Sequence, residues 1–285
     1  MNKYTLIKAP VCNGSPTVGA HHAFSALCRL GLASALGADL VSLERSRFAG
    51  EPAPKELRAL GEVIDVSRRL MPEVEYSIRN GAFPITVGGD HSCAMGSIAG
   101  ASAVYGADGL SVVYIDGHTD INTEKTTLTG YIHGMPLAAA MGLCTDRLTV
   151  GRKVNLKGEN IFIVGARSID PGEYTIIEEN GVTLITAEEM KSRGIEDVMA
   201  DVLSRIKTGH IHVSFDVDFM DGEIFPSTGY RMENGATLSE AEAALGAVIS
   251  TGKVCSLDVV EYNPTVDVCD RDGKALCDLI LKVLK

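Results

Sequence analysis

The sequence predicts an α/β fold in which a mostly parallel β-sheet is covered by helices on both faces. Three observations carry this. Short β-type runs and helical stretches alternate almost strictly along the 285 residues, and parallel neighbours need a crossover that a helix supplies. The run Phe83 to Val87 is short and apolar and is bounded by Gly81 and Gly88-Gly89, as a buried strand would be. Polar motifs recur just after such runs, where open α/β sheets place their ligands.

Taken in order, Thr5 to Ile7 and Asp39 to Leu43 read as short strands around a helix near Phe24 to Leu36. The polar, Gly- and Pro-containing stretch from Glu44 to Pro54 reads as a loop. Leu57 to Leu70 is apolar at near-helical spacing, and a further helical stretch follows Pro72. After the Phe83 strand, the small residues from Ser92 to Ala103 predict a helix packed closely on the sheet. The rhythm continues with strand Leu110 to Ile115, helix Pro136 to Leu143, strand Ile161 to Val164, helix Gly172 to Asn180 and strand Thr183 to Ile185. Helix Ile195 to Ile206, strand Ile211 to Phe215, helix Leu238 to Ser250, strand Val254 to Val259 and helix Lys274 to Leu284 complete it. With no internal repeat and no long linker, residues 1–285 read as a single domain.

A hydrophobic fraction of 45% with 22% charged residues fits a soluble globular chain and excludes extensive disorder. The formal charge of −11, without a Lys/Arg-rich block, argues against nucleic acid or an anionic membrane as partner and favours a cationic substrate. No apolar run reaches membrane-spanning length, and the N-terminal stretch breaks at Pro10 without the apolar core of a signal peptide. The seven cysteines contain no CxxC, which speaks against a disulfide framework or a thiolate zinc site and for a reducing cytoplasm.

The chemistry concentrates after four of the predicted strands. In Tyr114 to His133, Asp116, His118 and Asp120 alternate, so a chain that stayed extended would send all three side chains to one face. Two carboxylates and an imidazole in one buried place require a compensating cation. Asp216 and Asp218 repeat the alternation, His91 follows Gly88-Gly89-Asp90, and Asp258 and Glu261 follow the Val254 run. Two imidazoles with four carboxylates suit a pair of divalent ions about 3.5 to 4 Å apart. An oxygen-rich set without thiolate suits Mn²⁺ better than structural zinc. Singly, each motif has a plainer reading: Asp90 and Asp216 as turn or helix caps, Glu261 as a surface acid. His210 and His212 alternate with Ser214 but lie too far back along their strand to share its metal, and His21 and His22 carry no stronger signal.

With the segments GGDHS, DGHTDIN, HGMP, SFDVDFMD and LDVVEYNP in order, the chain resembles the ureohydrolase family of arginase, agmatinase and formimidoylglutamase, closest to the arginase branch. The resemblance implies an arginase-like three-layer α/β/α sandwich around an eight-stranded, mostly parallel sheet. It implies two Mn²⁺ per subunit, hydrolysis of a guanidino group to urea, and a homotrimer or homohexamer. Carried over, His91, Asp116, His118, Asp120, Asp216 and Asp218 are the metal ligands, and Asp120 also orients the attacking water. His133 shuttles a proton and Glu261 pairs with the guanidinium. Asn122, Thr127, Thr129 and the residue at Tyr131 would meet the substrate α-carboxylate, and Asp170 and Glu173 its α-amino group. L-Arginine is therefore the expected substrate; agmatine, guanidinobutyrate, formimidoylglutamate or a non-catalytic metal-binding role are the alternatives. Gly117, Gly222 and the run Thr228-Gly229-Tyr230-Arg231 depart from the family and imply small loop shifts, whereas Tyr131 stands where arginases carry an Asn.

Overall fold

A computed structural model describes residues 3–151 and 154–285; the first two residues of the N-terminal stretch lie outside it. Strands β1 (Lys3–Ala9), β2 (Asp39–Ser42), β3 (Ala82–Gly88), β4 (Leu110–Ile115), β5 (Ile161–Ala166), β6 (Thr183–Thr186), β7 (His210–Asp216) and β8 (Val254–Val260) form one sheet. Each expected strand is present within a few residues. The order is β2-β1-β3-β8-β7-β4-β5-β6, and every neighbouring pair is parallel.

The helices are α1 (Ala23–Arg29), α2 (Leu32–Leu36), α3 (Leu60–Arg79), α4 (Ala94–Tyr105), α5 (Pro136–Ala140), α6 (Pro171–Asn180), α7 (Ala187–Arg193), α8 (Ile195–Arg205), α9 (Leu238–Ile249) and α10 (Arg271–Leu284). Side chains alternate across each strand, so β4 divides its residues between two cores. Val113 and Ile115 pack with α1, α2 and α7 to α10, while Val112 and Tyr114 pack with α3 to α6. The sheet is thus the middle of three layers.

Three helices differ from the sequence reading. The stretch Phe24 to Leu36 is two helices, because Gly31 takes φ 96° between them; Gly37, at φ 61°, ends the second. Pro72 does not divide its region, since α3 runs through it as one 20-residue helix. Helix α4 lies so close that a Cβ on Gly96 would sit 2.7 Å from the Ser67 carbonyl oxygen, and one on Gly100 2.6 Å from that of Met71. Packing on both sides of the proline offsets the roughly 3 kcal/mol that an interior proline costs. Helix α7 has no counterpart in the sequence reading, although Thr186 caps it by accepting a hydrogen bond from Glu189 N at 3.2 Å and Gly194 closes it.

The strand order is what assembles the polar segments. Strands β3 and β4, consecutive in sequence, are held apart by β8 and β7, which the chain inserts later. Segments near residues 91, 116, 216 and 261 consequently emerge side by side from four adjacent central strands.

Candidate metal centre and substrate cavity

The three aspartates that lead these segments use one local device. Asp116 Oδ1 accepts a hydrogen bond from His118 N at 2.6 Å, Asp216 Oδ1 from Asp218 N at 2.7 Å, and Asp90 Oδ1 from Ser92 N at 3.1 Å. Each is a turn closed by an aspartate onto the backbone two residues on. The extended continuation expected after Ile115 is therefore not what gathers the side chains. The backbone turns at once, Asp120 adopts φ 45°, and Val217–Phe219 forms a short 3-10 turn. The turns bring the side chains together where an extended chain would have spread them along about 3.3 Å per residue.

Two overlapping groups result. His91, Asp116 and Asp216 offer ligand atoms within 4.8 Å of one another, as do Asp116, His118 and Asp218. Around His91 Nδ1, Asp116 Oδ2 lies at 2.9 Å, Asp216 Oδ2 at 3.1 Å and Asp120 Oδ2 at 3.3 Å. His118 Nδ1 is 3.1 Å from Asp218 Oδ2 and 3.6 Å from Asp116 Oδ1. Asp116 thus turns one oxygen to each group. Neighbouring ligands of an octahedral cation bound at ~2.1 Å sit ~3 Å apart, so the spacing fits an ion in each. The hydrogen bonding agrees: His91 Nδ1 and Asp116 Oδ2 are buried without a hydrogen-bond partner. Such orphaned atoms are costly unless something binds them.

The electrostatics make the same demand. Burial and repulsion from Asp218 and Asp116 push the Asp216 carboxyl well above its usual range, and burial with the Asp116 charge raises Asp120 to about 7. Asp116 is held low: burial opposes its charge, but the His118 and His91 imidazoles outweigh that. Burial likewise opposes charge on His91 and His118, and the carboxylates overcome it, holding both well above the imidazole range. Four carboxylates share two imidazoles, and a divalent cation is the natural remaining source of positive charge.

Behind the centre, His91 Nε2 lies 2.8 Å from Ser214 Oγ, which donates to Asp258 Oδ2 at 3.3 Å. His212 Nε2 meets the same oxygen at 3.0 Å, and Ser97 donates to it at 2.5 Å. Asp258 therefore stays inside β8 as the buried anchor of this network and does not project with Glu261, as the sequence suggested. His212, set aside as a ligand, is the imidazole that hydrogen-bonds Asp258.

Glu261 sits where the chain leaves β8, at φ 62°. Its Oε1 accepts from His91 N at 2.9 Å and lies 3.3 Å from His133 Nδ1. Burial alone would lower the His133 imidazole, but the Glu261 carboxylate more than compensates and the net shift is upward. His118, Asp120, Asn122, Thr127, Thr129, Tyr131, His133, Asp170 and Glu173 line one cavity above the centre, joined by Gly134, Ser168 and Tyr230. All six residues expected to touch the substrate ends are in that wall.

Their hydrogen bonds distinguish them. Asn122 Nδ2 donates to Asp170 Oδ2 at 3.0 Å, while Thr127 Oγ1 accepts from Gly130 N at 2.9 Å and so braces its own loop. Glu173 accepts from Ile121 N at 3.1 Å and from Asp170 N at 2.8 Å, so both its oxygens serve the backbone and the cap of α6. The Tyr131 ring carries the Arg58 guanidinium 4.7 Å from its centroid and stands edge-on to His133 at 6.2 Å. Tyr230, expected only to shift a loop, reaches into the cavity with its ring 5.3 Å from His118 and 6.0 Å from His133. Nothing in the sequence marks this role beyond a departure from the family's pattern.

Comparison with known proteins places these features in context. The sequence model described as the Arginase family matches residues 4–285. An arginase of Bacillus subtilis (strain 168) is 34% identical over 233 residues, covering 81% of this chain and 78% of the relative. The native structure of arginase from Bacillus caldovelox at pH 5.6 superposes with a TM-score of 0.92 at 29% identity, covering 100% of this chain and 98% of that one. Entamoeba histolytica arginase in complex with L-ornithine superposes with a TM-score of 0.90 at 29% identity, over 100% and 98% of the two chains.

Proposed function

The chain belongs to the arginase family, and from that premise we propose that it hydrolyses L-arginine to L-ornithine and urea at a centre of two divalent cations, Mn²⁺ by donor chemistry. The observation that carries this reading is the pair of His/Asp groups sharing Asp116, one of which reaches through His118 into a cavity lined also by Asp120, His133 and the residues expected at the substrate's carboxylate and amino end. His91, Asp116, Asp120 and Asp216 would hold one ion, with Asp116, His118, Asp216 and Asp218 around the other. When bound, the ions supply Lewis acidity and lower the pKa of a water toward neutrality.

The protein's own groups do the rest. Asp120 faces the cavity and accepts a hydrogen bond from the attacking water, aiming it at the guanidinium carbon. Glu261 has Oε1 committed to His91 N and His133, which leaves Oε2, on the Gly229 side, to receive guanidinium N–H groups through charge-assisted hydrogen bonds. This grip orients the carbon for attack. His133 then gives a proton to the departing amine as its C–N bond breaks; with Nδ1 held by Glu261, Nε2 is its free nitrogen.

His133→Ala is expected to keep its metal and lose about 10²-fold or more in kcat, as removal of a general acid does. Metal analysis beside steady-state kinetics checks it, and unchanged turnover would remove the shuttle. The function itself is tested with Mn²⁺-loaded protein on a panel of arginine, agmatine, guanidinobutyrate and formimidoylglutamate. The highest kcat/KM is expected for arginine. Tyr131 favours the second reading, because the resemblance puts a carboxylate-binding Asn there; a higher value for agmatine would establish that reading instead.

Residues 1–285 would act as a single domain, and the family resemblance supports a homotrimer or homohexamer, which sedimentation would reveal. A cytoplasmic location is supported by seven cysteines that are all free. Among the described residues no helix is long and apolar enough to cross a membrane.

A further inference from the structure

Tyr114 is fully buried on the inner face of β4 and has no part in the hydrolytic scheme. Its companion on that face, Val112, simply packs into the aliphatic core, and a phenylalanine at 114 would do the same. Instead, the Tyr114 hydroxyl donates to Asp120 Oδ2 at 2.9 Å. Its ring also stacks on the His91 imidazole, with centroids 4.3 Å apart and planes 9° from parallel. One side chain thus touches two of the residues gathered at the first ion position, whose facing atoms, His91 Nδ1 and Asp120 Oδ2, are 3.3 Å apart.

Asp120 has reason to need such a hold. It lies in the loop after β4 with its backbone in the left-handed region, at φ 45°, where an aspartate is strained. A phenol is protonated at neutral pH and a carboxylate can only accept, so the hydroxyl is the donor in this bond. The other carboxylate oxygen, Oδ1, lies on the side of Gly134, which lines the cavity with Asp120.

We propose that Tyr114 is a positioning residue for the reaction: its O–H holds Asp120 Oδ2 toward the first ion position and leaves Oδ1 for the attacking water, while its ring keeps the His91 imidazole from turning. The role assigned to Oδ1 rests on the hydrolytic reading of the site. Partners that orient metal ligands are worth about 10- to 100-fold in affinity or activity.

The test compares wild type, Tyr114→Phe, Asp120→Asn and the double variant by Mn²⁺ titration calorimetry and steady-state kinetics. Tyr114→Phe conserves the ring and its volume, so the fold and thermal midpoint should hold. Its tightest Mn²⁺ site is expected to weaken about 10-fold, and kcat to fall about 10-fold or more with KM for arginine within about twofold. In the Asp120→Asn background the same change is expected to cost no further turnover, because its target has already been altered. Wild-type affinity and kcat in Tyr114→Phe would overturn the proposal, and so would an equal loss in both backgrounds. A wild-type protein that binds Mn²⁺ but releases no urea from arginine would defeat the functional reading alone, and the affinity comparison would still decide the role of Tyr114.

Discussion

Asp116→Ala is expected to leave the protein unable to hold a cation in either group and to lower kcat by about 10⁴-fold. The reason is geometric. Asp116 is the residue common to both groups, with Oδ2 2.9 Å from His91 Nδ1 and Oδ1 3.6 Å from His118 Nδ1. Among the described residues Asp116 alone falls in both groups; Asp216, which would also reach the second ion, is grouped with His91 and not with His118. Lewis-acid stabilisation is worth several kcal/mol, and each 1.36 kcal/mol is tenfold in rate, which sets the magnitude. His118→Ala is the contrast: it removes one ligand from the second group only, so about one equivalent of Mn²⁺ should remain. The metal-free fold should tolerate Asp116→Ala, because Asp116 repels Asp216, Asp218 and Asp120 and its removal relieves that repulsion. Metal content by elemental analysis, read beside the thermal midpoint of the metal-free proteins, separates loss of ligands from loss of fold. Two equivalents of Mn²⁺ in Asp116→Ala would sink the shared-carboxylate centre.

The legibility of this centre in the sequence has a physical basis. Its residues sit at or just beyond strand ends, and strands announce themselves by apolar runs between glycines, so the residues after Val87, Ile115, Phe215 and Val259 could be picked out one by one. Their convergence depended on β8 and β7 lying between β3 and β4, a long-range ordering that no local pattern encodes. Alternation of Asp116, His118 and Asp120 pointed to residues that do cluster, but not by the extended geometry expected, since aspartate-closed turns gather them. Tyr114 and Tyr230 escape a sequence reading because an aromatic in a strand or loop reads as packing, and only coordinates reveal a hydroxyl on Asp120 or a ring over His118. Pro72 failed as a breaker for a related reason: the glycine-paved contact between α3 and α4 acts over a distance that helix propensity does not sense.

Glu261→Gln is the second large effect, and it should separate substrate chemistry from metal binding. Glu261 belongs to neither ligand group, so both ions are expected to remain. Its carboxylate nevertheless serves three functions: it receives His91 N at 2.9 Å, faces His133 Nδ1 at 3.3 Å, and leaves Oε2 for the guanidinium. Leaving a buried charge without its partner costs about 2–5 kcal/mol, so kcat/KM for arginine should fall about 10²- to 10³-fold. A carboxamide keeps an acceptor for His91 N, which favours an intact fold. The sign of the pH response comes from His133. Glu261 raises its pKa by stabilising the imidazolium, against a burial that lowers it. With a neutral glutamine the burial penalty is opposed by the smaller pull of the Asp120 and Asp90 carboxylates, so the imidazole pKa falls and the protonated form needed by the leaving amine is lost at lower pH. The alkaline limb of the residual kcat profile should therefore move toward acid. If Glu261→Gln kept its ions but showed an unmoved alkaline limb, the proton donated to the amine would have to come from a group other than His133. If it lost its ions, Glu261 would belong to the metal centre and not to the guanidinium.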